Sequence, residues 1–449
     1  MLELIQSVNS AVNNFIWGVP AMICIIGVGL LLTIKTKFLP IRLFPDMVKA
    51  LTANNKNGKD EKSSLSSLQT LIVSTATRVG MGNLTGVVAA ISAGGAGAVF
   101  WMWITALLGS STAFIEATLA QLHKEKDSLY GGYRGGPAYY IHHFMEERQG
   151  KKKKHTLIAV LFAISGLICW CGISQVVSNS VAESFHNAFH IPTLYTTIVL
   201  VIVAAVIVLR KNATVKVLDI VVPIMAVIYF GITIFVILTN LPSIPGVFAR
   251  IFKEAFGIRQ VAAGGFGAVL MNGVKRGLFS NEAGSGSAPC AAAAADCERP
   301  AQMGLVQALG VFIDTIVICT LTGFVVVMGR MWLTEDSAAW FELGKLDRFL
   351  TSCGALTGTG TIYHLVTMLV SVCFGLFAFT CLVGFMSFTE MCANRISTRP
   401  AFINTIRVLC LVVISFGVIT NIAGMDLSAL WDLSDFANIL MVYCNLPLQ

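Results

Sequence analysis

Charge is what this chain has least of. Lys, Arg, Asp and Glu together make up 12% of its 449 residues, against 55% hydrophobic residues and a mean hydropathy of +0.76. Soluble domains carry about 25% charged residues, so a soluble globular protein is excluded. The twelve cysteines are scattered, mostly inside apolar runs. Cys169 and Cys171 form the one close pair and no C-x-x-C occurs, which removes the spacing of a zinc site or a disulfide framework. The first 14 residues lack a basic start and the first apolar run continues as a full span, so no cleavable signal peptide is expected.

What the chain has instead is long apolar stretches. They fall near 15–34, 68–91, 97–122, 156–187, 193–209, 215–239, 258–281, 301–332, 361–392, 403–424 and 428–448. Each is long enough, or nearly so, to cross a hydrocarbon core that needs about 20 residues. The expected fold is an all-α polytopic membrane protein with about 11 spans, a single transmembrane domain over 1–449. The segment 258–281 is the weakest, being Gly-rich and interrupted.

Basic residues set the expected orientation. With the N-terminus outside, the inner loops hold 24 Lys and Arg and the outer loops hold 6, Arg78 being the remaining one. That asymmetry is the positive-inside signal. The large basic loops 35–66 and 123–155 are therefore expected in the cytoplasm, and the net charge of +7 reads as topology. Lys151 to Lys154 read as retention charges, with membrane lipid as the neighbour and no nucleic-acid partner.

Two spans carry helix-breaking residues. The first, 68–91, contains Arg78-Val79-Gly80-Met81-Gly82-Asn83, and the second contains Gly264-Gly265-Phe266-Gly267. Setting the first span aside leaves ten, and these segments open each group of five. Backbone outside a helix is tolerated at membrane depth only where it is buried or lines a cavity, and a buried charge marks function by default. Interrupted spans at matching places in two halves point to a transporter built from inverted repeats, 68–239 and 258–449, with 15–34 as an extra helix. Amides at the start of a second half-helix suit a carboxylate. Freed carbonyls at the end of the first suit sodium or an ammonium group. A glycine-packed helix crossing is the plain alternative. The Ser/Gly-rich run Ser280 to Ser287 fits no nucleophile elbow and is expected to be a tight cytoplasmic hairpin.

The chain resembles the alanine/glycine:cation (sodium:alanine) symporter family. The matching stretches are Val79-Gly80 through Gly86, Gly94 to Trp103, Tyr133 to Tyr140, Gly273 to Gly284, Phe312-Ile313-Asp314-Thr315 and Cys319-Thr320. The Arg276-Gly277-Leu278-Phe279-Ser280-Asn281-Glu282-Ala283-Gly284 run is the most specific of them. The resemblance implies a leucine-transporter-like fold with one extra N-terminal helix. It implies uptake of a small neutral amino acid driven by sodium or protons, in a cell inner membrane, with no enzymatic chemistry and no cofactor beyond the coupling ion.

On that resemblance the substrate site comprises Thr77, Arg78, Gly80, Met81, Gly82, Asn83, Val177, Gly264, Gly265, Phe266 and Phe385, with sodium at Thr77 and Thr380. Three positions depart from the family pattern. Arg78 stands where threonine is usual, Val177 where a glutamine is usual, and Phe385 where a tryptophan is usual. Gln175, two positions before Val177, sits about 200° away around a helix and does not substitute. Arg78 admits two roles, a bidentate clamp on the substrate carboxylate or an occupant of cation space. Thr380 offers a hydroxyl suited to sodium, or one bonded to its own helix, and Cys381 beside it is a poorer hard-cation ligand.

Glu116, Glu183, Asp219, Asp314 and Glu390 are acids within spans, each expected to face protein or water, with one a candidate partner for Arg78. His142-His143 is a weak metal signal, and the sequon Asn212-Ala213-Thr214 falls on the expected inner side. The function read from the chain is sodium-coupled import of an alanine- or glycine-like amino acid by alternating access. The alternatives are a same-fold carrier of another amino acid such as glutamine, coupled to protons or needing no sodium, and a non-transporting channel or receptor.

Overall fold

The computed structural model describes residue 12 and residues 15–52, 65–127, 132–209, 213–256, 265–332, 337–358, 360–422 and 428–449. Helices dominate. In chain order they are α1 (Val19–Lys35), α2 (Phe44–Thr52), α3 (Ser67–Arg78), α4 (Val87–Gly94), α5 (Gly97–Leu122), α6 (Pro137–Gln149), α7 (Leu157–Phe189), α8 (Thr193–Leu209), α9 (Ala213–Thr239) and α10 (Ile244–Phe256). There follow α11 (Gly265–Asn281), α12 (Ser287–Ala293), α13 (Pro300–Val311), α14 (Thr320–Trp332), α15 (Ser337–Glu342), α16 (Lys345–Thr357), α17 (Thr361–Ile396), α18 (Pro400–Ile422) and α19 (Ser428–Asn445). A two-residue hairpin, β1 (Glu125–Lys126) with β2 (Tyr133–Arg134), precedes α6.

Among the described residues, five helical stretches are long and apolar enough to cross a membrane: Gly97–Leu122, Leu157–Phe189, Val215–Thr239, Pro300–Gly329 and Thr361–Ile396. Val19–Lys35, Gly82–Gly94, Thr193–Val208 and Pro400–Phe416 are shorter apolar helices. Exposed Ile, Leu, Val and Phe side chains cover the outer faces of α1, α8, α9 and α18, which suits contact with hydrocarbon rather than water. The protein is an integral membrane protein.

The first broken span lies where the sequence places it. α3 ends at Arg78, Val79 takes φ −75° and ψ 83°, and a π-turn over Gly82–Gly86 restarts the helix into α4. The second expectation is corrected. α11 is continuous from Gly265 to Asn281, so Gly265 and Phe266 begin an unbroken helix, while Gly264 lies outside the described residues. The interruption is at 282–286, the run expected to be a cytoplasmic hairpin. There Glu282 (φ 55°), Gly284 (φ 92°) and Gly286 (φ 92°) are left-handed, a conformation that ends a right-handed helix outright. Glycines at 264–267 only permit a break. Alternating left-handed residues enforce one.

Lys275 and Arg276, assigned to an inner loop by the sequence, consequently lie within α11. The two interrupted elements run alongside each other: α12 packs on α3, and α11 packs on α4. The half before one break thus lies beside the half after the other. α7 and α17 flank this pair, and α19 and α18 pack on α7.

Candidate functional site

The first break is held open by its own side chain. Gly80 N–H donates to Asn83 Oδ1 at 3.0 Å, and Asn83 N–H donates to Gly80 O at 3.2 Å. The Gly80 and Asn83 amides are thus used inside the turn, which leaves those of Met81 and Gly82 the better placed for a carboxylate. Asn83 Nδ2 also donates to Asp314 Oδ1 at 2.6 Å. Asp314 further accepts from Ser280 Oγ at 2.8 Å and from Thr315 Oγ1 at 2.7 Å. This fully buried knot ties the first break, the end of α11 and the π-helical Phe312–Cys319 together. Gly80 is needed for close approach: a Cβ there would overlap Cys381 Sγ on α17.

The second break presents a carboxylate. Glu282 N–H bonds Leu278 O at 2.8 Å and Ser285 N–H bonds Glu282 O at 3.0 Å, which folds the segment back on itself. Ser287 Oγ donates to Glu282 Oε2. A non-glycine residue at positive φ costs energy of order 1 kcal/mol or more and clusters at functional sites.

Between the breaks is a cavity of about 50 Å³. Thr77, Arg78, Met81 and Gly82 line it from the first break, and Glu282, Ser285 and Ser287 from the second. Val177 and Trp170 close it from α7, and Phe385 from α17. Six of the expected site residues, Thr77, Arg78, Met81, Gly82, Val177 and Phe385, therefore converge. Gly80 and Asn83 stand behind the wall as its scaffold. Gly265 and Phe266 do not take part: Leu278 and Phe279 are the α11 residues at the cavity, and at 1.5 Å per residue Gly265 and Phe266 lie roughly 20 Å up the helix from them.

The sequence reading missed Glu282, Ser285 and Ser287, and also Asn438 on α19. An acid flanked by Ala-Gly-Ser-Gly within an otherwise apolar region was the available signal for the first three. Asn438 had none, since its role depends on how α19 packs.

Arg78 is 2% exposed. Its Nη1 donates to Gln307 O at 3.3 Å, while Nε and Nη2 have no partner although shielded. Among the described residues it makes no ion pair. Three other intramembrane acids are engaged elsewhere. Arg407 grips Glu390 with two bonds of 2.9 Å, Gln69 bonds Asp219 at 3.0 Å, and Asn445 bonds Glu116 at 2.6 Å.

The expected sodium ligands are rearranged. Thr380 Oγ1 donates to Phe377 O at 3.0 Å and faces Met225 Sδ at 3.7 Å. Cys381 instead meets the first break, with Sγ 3.5 Å from Ala76 O and 3.2 Å from Thr77 O. Thr77 Oγ1 bonds Ser74 O at 3.0 Å. The freed carbonyls anticipated at the end of the first half-helix are present, with a thiol opposite them. No cluster of three or more metal-ligating side chains occurs among the described residues. His142 contacts Thr156 and Glu146, and His143 contacts Glu125 and, at 4.0 Å, Glu146.

Comparison with known proteins places the fold and the family. A crystal structure of MhsT in complex with L-phenylalanine superposes with a TM-score of 0.58 at 14% identity, over 86% of this chain and 88% of that one. A manganese transporter from Eremococcus coleocola gives 0.57 at 12% identity, over 84% and 75%. The fold is that of the leucine-transporter-like carriers. The chain is 36% identical over 448 residues to the probable sodium/glutamine symporter GlnT of Bacillus subtilis, covering 99% of this chain and 88% of the relative. It is 37% identical to the amino-acid carrier protein AlsT of the same organism, over 98% and 88%. Identity to the sodium/alanine symporter AgcS of Methanococcus maripaludis is 32%, over 99% and 94%. The sodium:alanine symporter family profile matches residues 2–448. The chain belongs to the sodium:alanine symporter family, whose members are secondary transporters and not enzymes.

Proposed function

We propose that this protein imports a small neutral amino acid, of alanine or glycine size, together with sodium by alternating access. One observation carries the reading: Arg78 and Glu282, on two different broken helices, face one enclosed cavity. A fixed cation and a fixed carboxylate across a small space complement a zwitterion. Two unpartnered guanidinium nitrogens and the amides of Met81 and Gly82 take the carboxylate, in the planar geometry that arginine supplies. Glu282 takes the ammonium group. Val177, Trp170 and Phe385 limit the side chain. One water needs about 10–15 Å³ of such volume, so about 50 Å³ suits alanine or glycine better than a long side chain.

Sodium sits at the end of α3, on the carbonyls of Ala76 and Thr77, once the Cys381 thiol turns away. Binding of both ligands joins the two breaks and lowers the cost of rocking between outward and inward states. The two breaks open five-helix repeats of opposite orientation, α1 lies outside them, the N-terminus faces out, and the basic loops 35–66 and 123–155 face the cytoplasm.

A second reading has specific support. Arg78 brings positive charge to the carboxylate, a thiol stands opposite the cation-binding carbonyls, and a 36% identical relative is named for glutamine. These favour a carrier with weak or absent sodium dependence, proton-coupled through Glu282, and with a larger substrate. The test is uptake into proteoliposomes. An imposed inward sodium gradient should concentrate radiolabelled alanine, which a channel cannot do, and Arg78→Thr should weaken alanine affinity by about 100-fold. If Arg78→Thr leaves both affinity and sodium dependence unchanged, the proposed site is wrong. If a proton gradient alone drives glutamine uptake, the second reading replaces the first.

A further inference from the structure

A second and larger space of about 550 Å³ adjoins the central cavity. Met81 and Phe279 line both spaces, so these two side chains form the partition between them. The walls of the larger space are cationic. α16 contributes Lys345 and Arg348, α11 contributes Arg276, and the acid among the lining residues is Glu183 of α7.

The three cations are not equivalent. Arg348 is a built-in strut: Nη1 donates to Ser92 Oγ at 2.8 Å, Nε to Leu343 O at 2.9 Å, and the guanidinium lies 5.2 Å from the Trp340 ring centroid. Arg276 and Lys345 make no ion pair among the described residues, and Arg276 Nε is shielded without a hydrogen-bond partner. Asp435, whose charge reaches Arg276, is 3.6 Å from Lys275 Nζ. Lys345 is held below the ordinary lysine value by burial first and then by Arg276 and Arg348, so the like charges lie within each other's field. Such convergence opposes folding, and the contacts of Arg348 leave the charges of Arg276 and Lys345 without an ion pair among the described residues. It becomes favourable when an anion sits among the cations.

We propose that this vestibule is a docking subsite for the carboxylate end of the incoming amino acid, held by Arg276 and Lys345 with its ammonium group toward Glu183, before Met81 and Phe279 part. The inference rests on the reading that the cargo is a neutral amino acid. Its physical basis is separate: Arg276 and Lys345 offer charge-assisted hydrogen bonds to a carboxylate, and the field of a cleft lined by one sign of charge orients a zwitterion that has no net charge, an effect that salt screens. The vestibule thus collects the zwitterion by its carboxylate, and the central cavity selects it by size.

The test has two arms. In proteoliposome uptake of alanine, Lys345→Gln should lower kcat/KM about tenfold with kcat kept, through loss of one charge-assisted hydrogen bond to the carboxylate, and should flatten the modest fall in kcat/KM that the unaltered protein shows as salt screens that contact. If Lys345→Gln and Arg276→Gln both follow the unaltered protein at every ionic strength, the subsite does not exist. The second arm does not require transport. In an Asn179→Cys variant that also carries Arg78→Thr, a negatively charged thiosulfonate should modify Cys at 179 about tenfold faster than a positively charged one, each relative to its rate with a free thiol. Millimolar alanine should slow the negative reagent, and Lys345→Gln should abolish both effects. Equal reaction of the two reagents, or no protection by alanine, overturns the subsite. Protection by alanine in a protein that concentrates no amino acid would support the subsite and sink the transport reading alone.

Discussion

Asn83 and Asp314 lock the first broken helix to the helix that follows the second. The Asn83 amide donates to Asp314 Oδ1 at 2.6 Å while its own oxygen receives the Gly80 N–H at 3.0 Å. One side chain therefore closes the turn before the restarted helix and anchors that helix to a residue 231 positions away in sequence. Leucine at 83 removes both bonds and leaves Asp314 short of a donor in a dry site, a loss of about 3 kcal/mol. Asn83→Leu should lower the melting temperature of the detergent-purified protein and abolish uptake. A melting temperature equal to that of the unaltered protein would show that the knot is not structural.

Cys381, and not Thr380, faces the carbonyls of Ala76 and Thr77. A hydroxyl is a harder donor than a thiol and suits sodium better. Cys381→Ser should lower the sodium concentration for half-maximal uptake by about fivefold. Thr380→Val should leave it unchanged, because the Thr380 hydroxyl bonds Phe377 O. Sodium titration of both variants decides, and a reversed pattern places the ion elsewhere.

Phe385 lines the cavity, and in the proposed pose it bounds the side-chain end. Phe385→Ala should admit glutamine- and methionine-sized substrates and weaken alanine about tenfold, since a small ligand no longer fills the space. Competition by the twenty amino acids against labelled alanine measures this. An unchanged competition profile would remove Phe385 from the specificity wall.

The hairpin β1–β2 is clasped to α6 by His143 and Glu125, 3.4 Å apart. Hydrogen bonding to Glu125 raises the His143 pKa above its ordinary 6.5, against the opposing effect of burial. The same bond lowers the Glu125 value. A raised histidine value means that the clasp is fully present below pH 6.5 and is lost as pH rises through the higher folded value. At this exposure it is worth about 0.5 kcal/mol. Amide hydrogen exchange across 123–134 should therefore quicken, beyond its intrinsic pH dependence, as pH rises from about 6 to about 8. Glu125→Gln should remove that extra change, and its persistence in the variant would assign it to another group.

Much of the helical layout was legible in the chain. Apolar stretches at 97–122, 193–209 and 361–392 reappear as Gly97–Leu122, Thr193–Leu209 and Thr361–Ile396, because hydrocarbon requires long apolar helices whatever their neighbours. The first break was legible too, since glycine beside a buried arginine and asparagine fits no lipid-facing helix.

Other features were beyond local sequence. Gly264 to Gly267 and Glu282 to Gly286 are both glycine-rich, and composition alone does not say which one unwinds. Positive φ at Glu282, Gly284 and Gly286 is enforced by what surrounds them. Pro137 and Phe162 lie where a Cβ at 286 would go, and Leu446 lies where one at 284 would go. In the same way, Thr380 was the better sodium ligand by chemistry, but helix rotation turns Cys381 to the break and Thr380 toward α9.

The sequence by itself determined that this is a helical membrane protein with a charge and a broken helix at depth, because burial in lipid penalises every alternative locally, and its motifs carried the family resemblance. Only the tertiary structure decided which second segment breaks, that Glu282 stands with Arg78 around one cavity, and which hydroxyl or thiol meets the freed carbonyls. Those outcomes depend on contacts between residues hundreds of positions apart, and no periodicity within a single helix carries that information.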